Sequence, residues 1–162
     1  MINDSYGFHV GKRDEKNRVI IPSAMGAEPN EVVVIIKYGA GYKIISKELF
    51  DKALDAIETE IAKIIRLDKK VVTVLDLYGK KEDNEELKML ESYRNSLCYA
   101  VVRQSKVDGQ RRILIGDIYE GEKEVYLIGA RDSILLLNKE AYLAMNNDSV
   151  TPEEALNVKK LG

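Results

Sequence analysis

Cysteine and histidine are nearly missing from this 162-residue chain, which has one of each, Cys98 and His9. A single cysteine excludes an intramolecular disulfide and any cysteine-cluster metal site, and a single histidine excludes a two-histidine site. Nucleophilic catalysis would lack its usual base and orienting partner. The chain is therefore not expected to be an enzyme, and no metal, cofactor or small-molecule substrate is expected. Cys98 lies between Leu97 and Tyr99 in an apolar stretch, which predicts a buried structural thiol. Proline is also scarce, with three residues, and bulk disorder is not expected; order should run from near residue 5 to about 160. No apolar run approaches the roughly 18 residues that span a bilayer, and Met1-Ile2-Asn3-Asp4 has none of the basic and apolar regions of a signal peptide. A cytoplasmic protein without membrane contact is expected.

What is present is the composition of a folded domain, 45% hydrophobic and 32% charged, with a net charge of -2. The positive charge is concentrated. Residues 10–18 (VGKRDEKNR) sum to +2 and residues 103–112 (RQSKVDGQRR) to +3, which leaves -7 on the rest of the chain. Two short basic segments on an acidic body are an electrostatic footprint for a polyanion.

Those segments belong to an internal repeat. Asp14-x-x-x-Arg18 followed by Val19-Ile20-Ile21 matches Asp108-x-x-x-Arg112 followed by Ile113-Leu114-Ile115 at an offset of 94. Glu31 to Ile35 matches Glu124 to Ile128 at 93, and Ile44 to Glu48 matches Leu136 to Glu140 at 92. Each copy reads as strand, charged loop, three strands with turns between them, then helix. In the first copy the strands are expected near 7–12, 18–22, 31–37 and 42–46; in the second, near 98–107, 112–115, 124–129 and 133–137. Gly26 to Asn30 and Gly39-Ala40-Gly41 supply turn signals, and Ser46 and Asn138 are suited to cap the helices that follow.

Leu49, Phe50, Ala53, Leu54, Ile57, Ile61, Ile64 and Ile65 recur at helical spacing, a face expected to pack on the β-structure. Lys69 to Tyr78 (KKVVTVLDLY) reads as an extra strand, and Glu82 to Asn95 as a helix with Leu87, Leu90 and Tyr93 on one side. Thr151-Pro152-Glu153-Glu154 signals a final short helix. The expected organisation is a first repeat with its helix over 5–66, an inter-repeat strand and helix over 67–96, a second repeat over 97–146 and a tail over 147–162. Gly39-Ala40-Gly41 has no Gly-Lys-Ser/Thr ending and reads as a turn rather than a phosphate cradle. Glu82, Asp83, Glu85 and Glu86 read as a solvated helix start rather than a metal site.

Lys12 to Pro22 (KRDEKNRVIIP) resembles the N-terminal signature of AbrB-type and MraZ-type DNA-binding proteins, in which Asp-x-x-Gly-Arg precedes an apolar strand ending in proline. Lys106 to Ile115 resembles it a second time. Two such units in one chain, with helical segments between and after them, resemble the MraZ family in particular, as does Glu124 to Ile134 (EVYLIGARDSI). The resemblance covers most of residues 5–146. The signature glycine is Asn17 in one copy and Arg111 in the other, and Gly116 stands where the first copy has Pro22. The resemblance implies an α+β, β-rich fold in which two tandem repeats form a double-split, swapped-hairpin β-barrel with flanking helices. It also implies assembly into homo-oligomers, rings included, and transcriptional regulation from repeated double-stranded DNA sites upstream of cell-division and cell-wall genes, in association with the nucleoid.

Among the residues themselves, Lys12, Arg13, Lys16, Lys106 and Arg111 are candidate phosphate contacts, and Arg103 is a further candidate DNA contact. Arg18 and Arg112 are candidates either for reading guanine edges or for a structural ion pair with Asp14 and Asp108, whose expected role is to orient the loops. The alternative reading is a protein-interaction or scaffold module of the same fold, antitoxin-like, that does not bind DNA.

Overall fold

A computed structural model describes residues 1–75 and 85–146, the backbone alone between 67 and 75. The described elements are β1 (Phe8–Lys12), β2 (Arg18–Ile20), a 3-10 turn (Ser23–Met25), β3 (Val32–Tyr38), β4 (Gly41–Ser46), α1 (Lys47–Leu75), α2 (Glu85–Ala100), β5 (Val101–Lys106), β6 (Arg112–Leu114), β7 (Glu124–Gly129), β8 (Ser133–Leu137) and α3 (Lys139–Met145). The fold is α+β and rich in antiparallel sheet. The described residues divide into two compact units, one formed by Met1–Glu48 with those from Ala100 to Asn146, the other by those between Leu49 and Tyr99. No described helix is long and apolar enough to cross a membrane.

The β unit contains a six-stranded sheet of order β1-β7-β8-β4-β3-β5 and a two-stranded ribbon, β2-β6. Exchanging each strand of the first repeat with its counterpart in the second (β1 with β5, β2 with β6, β3 with β7, β4 with β8) returns the same order read backwards. The register obeys the same exchange. Val19 pairs with Ile113 and Lys43 with Leu135, each residue facing its own counterpart at the offsets of 94 and 92 found in the sequence. The sheet ends at β1 and β5, which do not pair with each other among the described residues.

Alternation along the ribbon explains how it is held. Val19 and Ile113 point inward and are buried, while Arg18, Ile20, Arg112 and Leu114 line the outer face. The inward pair, continued by Ile21 and Ile115, joins one core with Val33, Ile35, Ile44, Leu127, Ile134 and Leu136. Burying each such side chain contributes roughly 1.5–3 kcal/mol, and the near-continuous apolar run of β3 is needed because Val33 to Ile36 are buried on both faces. A smaller cluster of Phe8, Leu137, Ala141 and Tyr142 seats α3, whose first turn is capped by Asn138 Oδ1 accepting the Ala141 N–H at 2.8 Å. Ser46 is the buried last residue of β4.

In the helical unit, Ile61 and Ile64 are buried while Ala53 and Ile65 are exposed, so the apolar face of α1 is narrower than its sequence pattern. Arg94 of α2 pairs with Glu58 of α1 at 3.3 Å. The strand expected at Lys69 to Tyr78 is helix as far as Leu75; residues 76–78 lie outside the described residues. Between Gly41 and Gly79 the sequence has neither glycine nor proline, and a helix once nucleated extends through β-branched residues unless something stops it. The helix α2 likewise continues through Cys98 to Ala100, where the sequence pattern predicts a strand. Cys98 is exposed, not buried. As a helical residue it is turned about 100° from Leu97, which lies on the less exposed side with Leu87, Leu90 and Arg94. Tyr93, expected on that side, is exposed. The expected helix start at Glu82 and the helix from Thr151 fall outside the described residues.

Candidate nucleic-acid interface

Both Asp-x-x-x-Arg segments fold into the same hydrogen-bonded loop. Asp14 Oδ1 accepts the N–H groups of Lys16 and Arg18, both at 2.9 Å, and Oδ2 accepts Arg18 Nε at 2.8 Å. Asp108 Oδ1 accepts the N–H groups of Gln110 and Arg112, at 2.9 and 2.8 Å, and Oδ2 accepts Arg112 Nε at 2.7 Å. The Asp14 N–H donates to Arg18 C=O at 2.9 Å and the Asp108 N–H to Arg112 C=O at 3.0 Å, which closes each loop at its base. An aspartate is needed because only a short carboxylate reaches N–H groups two and four residues ahead while also holding a guanidinium. The Arg18 N–H lowers the Asp14 pKa most, against desolvation, with further lowering from the Arg18 guanidinium and the Lys16 N–H; Arg112 and Gln110 do the same for Asp108. Asn17 at φ 58 and Arg111 at φ 59 take the left-handed turn residue, the position of the signature glycine.

The ribbon joins the two loops. Arg18 is opposite Leu114 and Arg112 opposite Ile20; Ile21 N–H donates to Arg111 C=O at 2.8 Å and Ile115 N–H to Asn17 C=O at 2.9 Å. Arg18 and Arg112 therefore stand on one face, two residues apart along the ribbon or about 7 Å. Their Nε atoms are committed to the aspartates, and their terminal nitrogens have no partner among the described residues. Ile20 (53% exposed) and Leu114 (39%) share that face, an apolar component that the charge pattern alone does not reveal. Its signal was the alternation Arg18-Val19-Ile20, in which the middle residue is the inward one.

The other candidates occupy distinct places. Lys12 and Lys106 are exposed at the ends of β1 and β5, and Lys16 is exposed in its loop. Arg13 turns inward: Nη1 donates to Tyr119 C=O at 2.6 Å and Nη2 to Ile118 C=O. Arg103 lies over Gly116, where a Cβ would meet its Nη1 at 2.5 Å, so Gly116 makes room for that guanidinium. The Nε atoms of Arg13, Arg103 and Arg111 are each buried without a partner among the described residues. A cleft of about 590 Å³ opens beside the first loop, lined by Lys12, Glu15, Glu122, Lys123 and Glu124 among others. Lys123 was not a candidate from the sequence, since nothing in the chain order brings the β6–β7 connection to the first loop. Among the described residues no group of three or more histidine, cysteine, aspartate or glutamate side chains could hold a metal ion.

No family model matches the sequence, and no curated protein matches it.

Proposed function

We propose that this chain is a sequence-specific, double-stranded DNA-binding transcriptional regulator of the AbrB and MraZ kind that its loops resemble. The observation that carries the proposal is the pair of identically bonded loops at the two ends of one ribbon, with Arg18 and Arg112 on its outer face. A two-stranded ribbon fits the major groove, roughly 12 Å wide. There the terminal nitrogens of the arginines face base edges, Ile20 and Leu114 meet thymine methyl groups, and Lys16, Lys106 and Arg111 neutralise phosphates. Each Nε–carboxylate bond fixes its guanidinium before DNA arrives, which lowers the ordering cost of binding.

On this reading the six-stranded sheet and the ribbon together form a double-split, swapped-hairpin barrel made by one chain. The pseudo-twofold exchange of strands supports it. Homo-oligomers, rings among them, would multiply weak loops along repeated sites, so that avidity offsets the net charge of -2. The protein acts in the cytoplasm on the nucleoid, without catalysis. A second reading, a protein-docking module, is favoured by one observation: α2 exposes Met89, Tyr93 and Tyr99.

The test is binding of the full chain to genomic fragments across a salt series, with Arg18→Ala and Arg112→Ala as controls. A sequence-preferring complex that weakens with salt by a slope of about -0.9 per phosphate contact supports the reading. No such complex at low salt overturns it and leaves the docking module.

A further inference from the structure

The loops share a backbone, but their side chains differ at each position that is free to vary. Aligned at the offset of 94, Glu15 stands against Gly109, Lys16 against Gln110 and Asn17 against Arg111. The first loop has acids beside all but one of its cations. Lys12 faces Glu124 in register, Lys16 adjoins Glu15, and Glu122, Lys123 and Glu124 line the same cleft. Arg18 is paired with Asp14, and the cation left over, Arg13, is bound to the carbonyls of Ile118 and Tyr119.

The second loop has no acid except Asp108, which is paired with Arg112. Lys106 and Arg111 add positive charge, and Gly109 leaves the segment without a side chain where the first loop has a carboxylate. Behind it, the Val107 N–H donates to Glu31 C=O at 2.8 Å. The Glu31 carboxylate is itself engaged by the Met1 amine at 3.4 Å and by the N–H groups of Ile2 and Glu28. Arg111 is the more telling substitution. A left-handed residue is cheapest as glycine or asparagine, as Asn17 is, whereas a long β-carbon side chain there is strained. An arginine retained in the left-handed conformation at one of two equivalent positions, where the other holds asparagine, points to a use for the guanidinium.

We infer that the two loops are unequal partners for DNA: the second-repeat loop, through Lys106 and Arg111, is the phosphate anchor, and the first, with Glu15 near its tip, engages weakly. A pseudo-symmetric chain thereby docks on its duplex in one orientation and prefers a non-palindromic site. The inference rests on the DNA-binding reading above.

Gly109 permits a direct test, because its φ is not left-handed and a Cβ there meets nothing within 4 Å, so Gly109→Glu does not strain the fold. The full chain and the variants Gly109→Glu, Glu15→Gln, Arg111→Asn and Lys12→Ala are titrated, across a salt series, with a duplex selected by the wild type from a random library. Gly109→Glu is expected to weaken binding about tenfold and Arg111→Asn to reduce the salt slope by about 0.9, with thermal stability retained or raised. Glu15→Gln should strengthen binding, and Lys12→Ala should change it less than Arg111→Asn. Binding by Gly109→Glu within twofold of wild type, or a larger loss from Lys12→Ala than from Arg111→Asn, overturns the inference while the DNA-binding reading stands. If the wild type selects no duplex, that reading fails and the inference fails with it.

Discussion

Val19 faces Ile113 across the ribbon, and each is the other's counterpart in the internal repeat. Both are buried, in the same core as Ile35, Ile44, Leu127 and Ile134. The pair lies on the pseudo-twofold axis, so it ties the halves together and sets the spacing of the two loops.

Ile113→Ala removes side-chain atoms that are fully buried at that axis and leaves a cavity lined by both repeats. It should destabilise the chain by about 2–5 kcal/mol. Val19→Ala should be non-additive with it, because the two side chains share the site. Urea unfolding of the single and double variants measures both.

The loops carry a pH signature. The Asp14 and Asp108 carboxyls lie below their usual 3.8, first because of the arginine N–H groups and then because of the guanidinium and the second loop N–H, with desolvation opposing. Their contribution to loop order is therefore complete above pH 3.8 and is lost as pH falls through the lowered folded values. Carboxyl carbon shifts followed by NMR should give two titrations below 3.8, and Asp14→Asn should speed amide exchange at Lys16 and Arg18.

Arg13 belongs to the scaffold by its contacts. Arg13→Ala leaves the carbonyls of Ile118 and Tyr119 without their charged donor, at a cost of about 1.5–3 kcal/mol. Thermal unfolding should report that loss, and the salt slope of DNA binding should stay unchanged.

Gly129 is a point of close backbone approach. A Cβ there would lie 2.3 Å from Tyr6 N, in the segment where Gly129 N–H donates to Gly7 C=O at 2.8 Å. Gly129→Ala must displace that backbone and should cost about 1–3 kcal/mol in denaturant unfolding.

The duplication was the most legible feature of the sequence, because strand pairing conserves spacing: the offsets of 94 and 92 reappear as the self-paired registers of Val19 with Ile113 and Lys43 with Leu135. The strands of the two repeats were legible from their Val and Ile runs bounded by turn residues. The inter-repeat region was not, because Val71, Val72 and Val74 favour strand locally while an uninterrupted helix starting at Lys47 takes them in. The inward role of Arg13 was hidden for a different reason. A basic residue beside Lys12 and Lys16 looks like one more surface cation, and its acceptors lie more than a hundred residues away. The apolar part of the outer ribbon face, Ile20 and Leu114, was absorbed into strands whose pattern does not distinguish an exposed isoleucine from a buried one.

NMR mapping of the full chain titrated with a selected duplex tests the central claim most directly. Amide shift changes should concentrate at Lys16 to Ile20 and Gly109 to Leu114, with the larger changes in the second segment. Changes confined to the Met89–Tyr99 face of α2, or none at low salt, would contradict the assignment of the paired loops as a DNA interface.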